Sequence, residues 1–374
     1  MPTRRQFLQT SSAFAALCFN LIPTAPAEES SAITKFMAEY DVPGLTFACA
    51  QNGEILFTQG YGLADRHHKV PVTPISLFRI ASISKSITSA AIFKQIQTGK
   101  LTLATPVFGT HGVLDQYRLP PTHPDWIQAI TIHHLLTHTA GGWSNHERDP
   151  MFHDTKLDKA KFLQHTLDNY PLETPPGTQY AYSNFGYFLL GRVLERTSNQ
   201  PYQTCVQQNV LNPSGIDDMR LGTQHPVPSE VYYQGQGKDD PYSVPIELHD
   251  ANGGWIATPT DLVKFASAVF ASTDPTTSNS STRKSLFPPE LVHQITQGTP
   301  ANPNYACGWS THPDGSFSHS GGFDGTNGFL VHSPTSLTWA IIVNTRRPHS
   351  EMEEDLHKLS LNLAMNLAIP RDKK

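Results

Sequence analysis

The chain has 374 residues, of which 38% are hydrophobic and 16% are charged. A chain of this size and composition can bury a large core and is expected to divide into two lobes. Its formal net charge of -5 provides no basic face for nucleic acid, and nothing after roughly the first 30 residues is apolar for long enough to span a membrane. The expected partner is a small-molecule or peptide substrate. We expect no nucleic-acid partner and no stable membrane span in the mature chain.

Residues 1–27 are predicted to be a targeting segment rather than part of the fold. The hexapeptide Thr3-Arg4-Arg5-Gln6-Phe7-Leu8 is typical of a twin-arginine export signal. A mildly apolar stretch follows it, and Ala25-Pro26-Ala27 supplies a small-residue cleavage site. We therefore expect a mature chain that begins at Glu28 and is periplasmic or secreted.

The mature chain would keep three cysteines, Cys49, Cys205 and Cys307, an odd number that cannot all pair. Because the twin-arginine route carries folded protein, folding with reduced thiols fits this sparse use of cysteine. A single disulfide between two of the three cysteines remains an alternative, but none is needed. Buried thiols are expected at Cys49 and Cys307.

The first predicted elements are a helix over 31–39 and a hairpin. Strands over 45–50 and 55–59 flank the turn Gln51-Asn52-Gly53-Glu54, whose Asn-Gly pair is typical of a two-residue hairpin turn. A helix over 83–96 follows after a short strand-like segment. Its apolar residues lie nearly all round, so it should be buried, and Gly99 is placed to end it.

Residues 99–252 read as helices joined by Pro-rich loops and are predicted to form an inserted all-helical lobe. The clearest helical segments are 133–137, 157–169 and 187–197. His134 and His138 have the spacing of a helical metal site, but no glutamate lies between them as a zinc hydrolase motif requires. A capping or core role is expected for these histidines and for His133.

From residue 253 the pattern changes again. Thr258-Pro259-Thr260-Asp261 caps a helix that runs to Phe270, and residues 272–285 are expected to be a flexible loop. Strands are predicted over 315–320, 327–332 and 337–344, and a closing helix over 352–368. Strands near both ends of the chain imply one sheet-containing α/β lobe, of the α+β type, built from residues 28–98 and 253–374.

The motif Ser82-Ile83-Ser84-Lys85 carries the first chemical signal. Residues three apart share one face of a helix, so the hydroxyl of Ser82 and the amine of Lys85 are predicted to lie together. A serine needs a base to take its proton, and a lysine is such a base where its surroundings hold it neutral. The spacing predicts covalent acyl transfer. The alternative is an N-capping serine with a solvated lysine in the first turn.

Two further fragments supply candidate partners. Tyr182-Ser183-Asn184, at a loop-to-helix junction, offers a phenol that exchanges protons with a serine and an amide for a substrate carbonyl. His319-Ser320-Gly321-Gly322, between a strand and a turn, offers close backbone approach and a free N–H for an oxyanion. The alternatives are a packed tyrosine with Asn184 as a helix cap, and an ordinary Gly-rich turn.

In this order, the three fragments resemble the serine beta-lactamase and penicillin-binding protein superfamily. The resemblance is greatest to its class C-like branch, which contains class C beta-lactamases, D-alanyl-D-alanine carboxypeptidases, D-aminopeptidases and related esterases. It implies a beta-lactamase/transpeptidase-like fold, in which an antiparallel sheet is flanked by helices and the helical lobe forms the other wall of the cleft. No cofactor and no metal are implied.

The resemblance also implies a role for each motif residue. Ser82 would be the acylated nucleophile, and Lys85 and Tyr182 the proton-transfer pair, with the choice of general base left open. Asn184 would orient the substrate. The N–H groups of Ser82 and Gly322 would form the oxyanion hole beside Gly321. His319 would occupy the first position of the third motif.

His319 departs from class C beta-lactamases, which carry a lysine at this place. A histidine is mostly neutral near pH 7, and no Lys or Arg lies between Tyr305 and His319, so binding of a free substrate carboxylate is in doubt. We therefore expect an exported serine hydrolase that acts through an acyl-enzyme on peptide amides, including D-amino-acid peptides, or on esters. The alternatives are beta-lactamase activity and a non-catalytic protein that binds peptidoglycan-like ligands.

Overall fold

The computed structural model describes residues 27–146, 148–153, 156–236, 240–271, 285–348 and 350–368. Except for Ala27 and Ser285, the predicted targeting segment and the predicted flexible loop 272–285 lie outside these residues. In the described part of the chain, no helix combines the length and the apolar character that a membrane span requires.

A seven-stranded antiparallel sheet forms the centre of the fold. The strands in chain order are β1 (Gly44–Gln51), β2 (Glu54–Asp65), β3 (Val70–Pro71), β4 (Phe78–Arg79), β5 (Arg220–Leu221), β6 (Trp255–Ala257), β7 (Ser310–Thr311), β8 (Phe317–Phe323), β9 (Thr326–His332) and β10 (Leu337–Val343). The large sheet has the order β3-β2-β1-β10-β9-β8-β7. Leu45 pairs with Val343 and Gln51 with Leu337, so an early strand and the last strand of the described residues pair at the sheet centre.

The predicted hairpin is present and its turn has the expected geometry. Asn52 and Gly53 have φ angles of 52° and 82°, the left-handed conformation that a tight hairpin turn requires. The strand predicted over 315–320 is shorter at its end than the observed β8, which continues through Gly322 to Phe323. A Gly-rich segment suggests a turn locally, but its pairing with β9, Gly321 opposite Gly328, keeps it in the sheet.

Helices cover both faces of this sheet. They are α1 (Ala27–Glu39), α2 (Ser84–Gln97), α3 (Ile132–Leu136), α4 (Lys159–Asn169), α5 (Asn184–Ser198), α6 (Tyr202–Val206), α7 (Pro259–Val269), α8 (Pro289–Thr296) and α9 (Met352–Ala368). Phe47 and Ile341 belong to a core with α1 and α9 on one face, whereas Ala48 and Ile342 belong to the core on the other face. Alternate residues of β1 and of β10 thus enter different cores.

The predicted buried helix corresponds to α2, which a 3₁₀ turn over Ala81–Ile83 precedes. Gly99 follows it with a φ of 74°, as a C-terminal glycine does. Residues 99–252 contain α3 to α6, but they also contribute β5, which pairs with β6 in a small sheet of order β4-β6-β5. A strand of two residues is too short to show strand periodicity, so β5 could not be predicted. The lobe boundaries remain a prediction.

Candidate active site

Ser82 lies in the 3₁₀ turn at the start of α2, on a strained backbone. The preceding Ala81 has a φ of 46°, a conformation that costs a residue with a Cβ of the order of 1 kcal/mol. Ile80 N donates to Trp255 O at 3.1 Å, which ties the turn to the small sheet. Ser82 is half-buried and faces a cavity. It is not an N-cap, so that alternative for the motif is wrong.

Lys85 is completely buried directly behind Ser82, so the alternative of a solvated lysine is also wrong. Its Nζ donates to Asn184 Oδ1 at 2.7 Å and to Asn252 O at 2.9 Å, and lies 3.0 Å from Ser82 Oγ. Burial lowers the pKa of Lys85 to about 7, against the opposing charge of Asp149. A neutral amine has two hydrogens, and both acceptors use them, so its lone pair is left for the hydroxyl hydrogen of Ser82.

Tyr182 lies on the other side of the same serine. Burial raises the pKa of Tyr182 far above its usual value of 10, and a hydrogen bond with Ser82 lowers it only in part. The phenol therefore keeps its hydrogen at neutral pH and is a donor in the resting site. Its ring centroid lies 4.8 Å from Lys85 Nζ.

Asn184 is the first residue of α5 and links Lys85 to two polar residues. Ser183 is the N-cap of this helix, because its side chain accepts from Gly186 N, so the interpretation of Asn184 as a cap is wrong. Asn184 Nδ2 donates to Asp149 Oδ2 at 2.7 Å and to Asn145 Oδ1 at 3.2 Å. Both amide hydrogens predicted to orient a substrate therefore have partners within the protein.

The glycines of the third motif bring β8 against the nucleophile turn. A Cβ added at Gly321 would lie 2.1 Å from Ile80 O and 3.2 Å from Ser82 N, an approach that only glycine permits. Gly322 follows, and it lines the same cavity as Ser82. The two residues proposed for the oxyanion hole are thus neighbours across this contact.

His319 is buried and offers no charge to the cleft. Its Nε2 lies 3.1 Å from Tyr305 Oη, and its Nδ1 lies 2.6 Å from the carbonyl oxygen of Ser320. Burial, helped by the charge of Lys85, lowers the pKa of His319 to about 3. Both ring nitrogens are therefore engaged within the protein and the ring is neutral.

A cavity of about 320 Å³ opens in front of Ser82. Arg346, which follows β10, lines it, and a Cβ added at Gly322 would lie 3.1 Å from Arg346 Nε. Phe152, Phe323 and Asp324 contribute further walls. The cleft therefore does contain a cation, although the segment before His319 supplies none. Arg346 could not be identified from the motifs, because it follows β10, which lies two strands from β8 in the sheet.

One family model covers most of the chain: that of the Beta-lactamase family, which matches residues 30–363. The chain belongs to the Beta-lactamase family. This membership confirms the predicted superfamily and its class C-like branch, the predicted fold, and a serine hydrolase of the beta-lactamase-related type.

Several known proteins are similar to this family member. Penicillin-binding protein 4* of Bacillus subtilis is 25% identical over 339 residues, which are 84% of this chain and 70% of that protein. Esterase EstB of Burkholderia gladioli is 30% identical over 226 residues, which are 57% of this chain and 55% of the esterase. The structure of D-amino acid amidase from Ochrobactrum anthropi SV3 superimposes with a TM-score of 0.72 at 21% identity, covering 91% of this chain and 98% of the amidase.

The histidines expected to have a capping or core role, and the cysteines, lie in structural positions. His134 Nδ1 completes a capping box with Thr131 at the start of α3. His138 is buried and has hydrogen bonds to Ser183 N and Tyr305 Oη. Cys49, Cys205 and Cys307 are buried free thiols. Among the described residues, no three His, Cys, Asp or Glu side chains are grouped to hold a metal ion.

Proposed function

We propose that this serine hydrolase is exported, forms an acyl-enzyme at Ser82, and cleaves peptide amides, including D-amino-acid peptides, or esters. The observation that carries the proposal is the position of the Lys85 amine. It is buried, it donates to two fixed acceptors, and it lies 3.0 Å from Ser82 Oγ. The D-amino acid amidase and EstB, which are similar to this chain, support amides and esters as the substrate classes.

The first step places Lys85 as the general base. As Ser82 Oγ bonds to the substrate carbonyl carbon, its hydrogen passes to the lone pair of Lys85, which becomes an ammonium. The N–H groups of Ser82 and Gly322 donate to the developing oxyanion. The leaving group then takes a proton from the pair formed by Lys85 and Tyr182, both beside Ser82. Water then attacks the acyl carbon and gives a proton to the same pair, and the bond from this carbon to Ser82 Oγ breaks as Oγ takes a proton back.

Arg346 adds substrates with a carboxylate to this proposal. A guanidinium beside Gly322 is suited to a carboxylate close to the scissile carbonyl, and the aromatic side chains of Phe152 and Phe323 suit an apolar group. Peptides with a free C-terminal carboxylate therefore return as candidates. For the same reason, beta-lactam hydrolysis stays the second candidate, because these substrates also carry a carboxylate.

A substrate panel on the unmodified protein tests the proposal. We expect turnover of a p-nitrophenyl ester with an initial burst of about one product molecule per active site, and turnover of D-alanyl peptides. Rapid turnover of a chromogenic cephalosporin alone would favour the second candidate. No turnover of any substrate, together with no covalent adduct from a fluorescent phosphonate, would favour the non-catalytic ligand-binding alternative.

Arg346→Ala should weaken binding of acidic substrates selectively. Because the guanidinium is half-buried, we expect the KM of a D-alanyl peptide acid to rise between about five- and tenfold, the equivalent of about 1 kcal/mol. The C-terminal amide of the same peptide should be little affected. Arg347→Ala is the matched control, since Arg347 bonds Gln236 and is absent from the cavity. An equal effect on acid and amide would contradict the assignment.

A further inference from the structure

A chain of four hydrogen bonds runs from the start of α5 to β8, behind the candidate active site. Ser183 N donates to His138 Nδ1 at 3.0 Å, and His138 Nε2 lies 3.1 Å from Tyr305 Oη. The Tyr305 hydroxyl lies 3.1 Å from His319 Nε2, and His319 Nδ1 lies 2.6 Å from Ser320 O. The chain thus connects the second motif to the third.

The two groups at the ends of this hydrogen-bond chain, Ser183 N and Ser320 O, determine the direction of every hydrogen bond in it. The backbone N–H of Ser183 can only donate, so His138 Nδ1 accepts and its Nε2 carries the hydrogen. The carbonyl of Ser320 can only accept, so His319 Nδ1 carries the hydrogen and its Nε2 accepts. Tyr305 therefore accepts from His138 and donates to His319. Both imidazoles are neutral, each in a single tautomer.

One neighbour competes for the Tyr305 hydrogen, but it is a weaker acceptor. The hydroxyl of Tyr187 lies beside Tyr305 and uses its own hydrogen for Leu136 O at 2.8 Å. A phenol oxygen is less basic than an imidazole nitrogen, so the Tyr305 hydrogen goes to His319. Because both ends are backbone groups, the chain cannot carry a proton from one end to the other. Its effect is to hold groups in place.

The chain also supports the side chain of Tyr182. The ring of His138 lies against the ring of Tyr182, with centroids 4.1 Å apart, and the Tyr182 ring lies over Lys85 Nζ. His138 has a φ of 57° and is 1% exposed, so it occupies a strained backbone position in the core. Aromatic packing alone does not require this conformation together with two directed hydrogen bonds.

We propose that His138 and Tyr305 are positioning residues for the reaction at Ser82, which hold His319 uncharged and hold the Tyr182 ring against Lys85. This inference rests on the proposed function. An imidazolium at His319 would repel the ammonium that forms at Lys85 when Ser82 loses its proton. The chain leaves Lys85 as the place where positive charge appears. The ionisable groups that face His319 are Lys85 of α2, Tyr182 and His138 from the loops before α5, and Tyr305 before β7.

Tyr305→Phe removes the middle of the chain and keeps the ring. His319 Nε2 then loses a donor that acts together with burial to keep the ring neutral, so its pKa should rise, and a charge there would oppose protonation of Lys85 by Ser82. We expect kcat to fall between about tenfold and a hundredfold with little change in KM. We also expect log kcat/KM to fall with a slope of two rather than one at acid pH, because a second group must be deprotonated. A merely structural role would not change this slope.

Tyr180→Phe is the matched control. Its ring lies 5.8 Å from that of Tyr305 and 5.9 Å from that of His138, but its hydroxyl is not part of the chain. This variant should keep the slope of one. An active wild type whose pH profile is the same in Tyr305→Phe would overturn the inference while leaving the proposed function standing.

Ring nitrogen NMR of the wild type with labelled histidine tests the inference without any variant of Tyr305. At pH 7 we expect the Nδ1–H tautomer for His319 and the Nε2–H tautomer for His138, with the signals assigned through His319→Asn and His138→Asn. The opposite tautomer or an imidazolium at either residue would overturn the inference. This measurement needs no turnover, so its failure is distinct from a failure of the substrate panel.

Discussion

Ser82→Ala is expected to abolish covalent labelling by a fluorescent phosphonate and to lower kcat/KM between about 10⁴- and 10⁶-fold, as loss of a serine nucleophile does elsewhere. The physical reason is that the acyl-enzyme needs the Ser82 oxygen, and no other hydroxyl lies 3.0 Å from the Lys85 amine in the described site. Intact-protein mass and the burst of p-nitrophenol would measure the two effects. The substitution removes one half-buried oxygen, so folding should be preserved.

Ser243→Ala is the matched control for this experiment. Ser243 lines the same cavity and is exposed, but its hydroxyl donates to Asp240 O rather than to a buried amine. It should label and turn over like the wild type. An equal adduct on Ser82→Ala would show that the phosphonate reacts elsewhere, and the enzyme mechanism proposed for Ser82 would then be wrong.

Signals confined to neighbouring residues were predictable from the sequence. The Asn-Gly turn between β1 and β2 needs only two residues with positive φ, and the Ser82 to Lys85 spacing needs only one turn of helix. The burial of Lys85 could also be expected, because α2 is apolar nearly all round. These features depend on local periodicity and on conformations that few residue types adopt.

The remaining site residues reach the cleft through tertiary structure. Asn145 and Asp149 lie in the loop between α3 and α4, and Arg346 follows β10. No spacing rule relates them to Ser82, since loop paths and strand order determine their positions. The order β10-β9-β8 is what brings Arg346 beside Gly322. The lack of Lys and Arg in the segment before His319 therefore does not determine the charge that a substrate carboxylate meets.

The same buried environment that activates Lys85 also costs stability. A fall in this pKa from 10.5 to about 7 corresponds to about 5 kcal/mol of lost stability near pH 7, because burial disfavours the charged form that the unfolded chain keeps. The hydrogen bonds that Lys85 donates to Asn184 and Asn252 offset part of this, because each would leave a buried acceptor unpaired if lost, at about 1 to 3 kcal/mol. The cost of the lowered pKa and the contribution of the two hydrogen bonds are similar in size, so the net effect of removing the amine on stability depends on pH.

Lys85→Met should lower kcat/KM between about 10²- and 10⁴-fold, the usual contribution of a positioned base. In the wild type, kcat/KM should rise with pH through about 7, where Lys85 loses its proton, and then level off, because Tyr182 keeps its hydrogen far into the alkaline range. Methionine has no lone pair of comparable basicity, so the variant should lose this rise. Initial rates with the ester between about pH 5 and 9, about two units on either side of the midpoint, measure both effects.

The free energy of unfolding of the wild type should rise with pH relative to that of Lys85→Met. Between pH about 7 and 10.5 the unfolded chain binds a proton at Lys85 that the folded chain does not, so the wild type gains stability with rising pH relative to Lys85→Met. The gain should be at most about 1.4 kcal/mol per pH unit and should vanish below pH 7. Urea unfolding of both proteins across this range measures it, and Lys100→Met, which removes an exposed lysine, controls for net charge. A difference that stays constant with pH would mean that Lys85 is charged in the folded protein, and Tyr182 would then have to be the base.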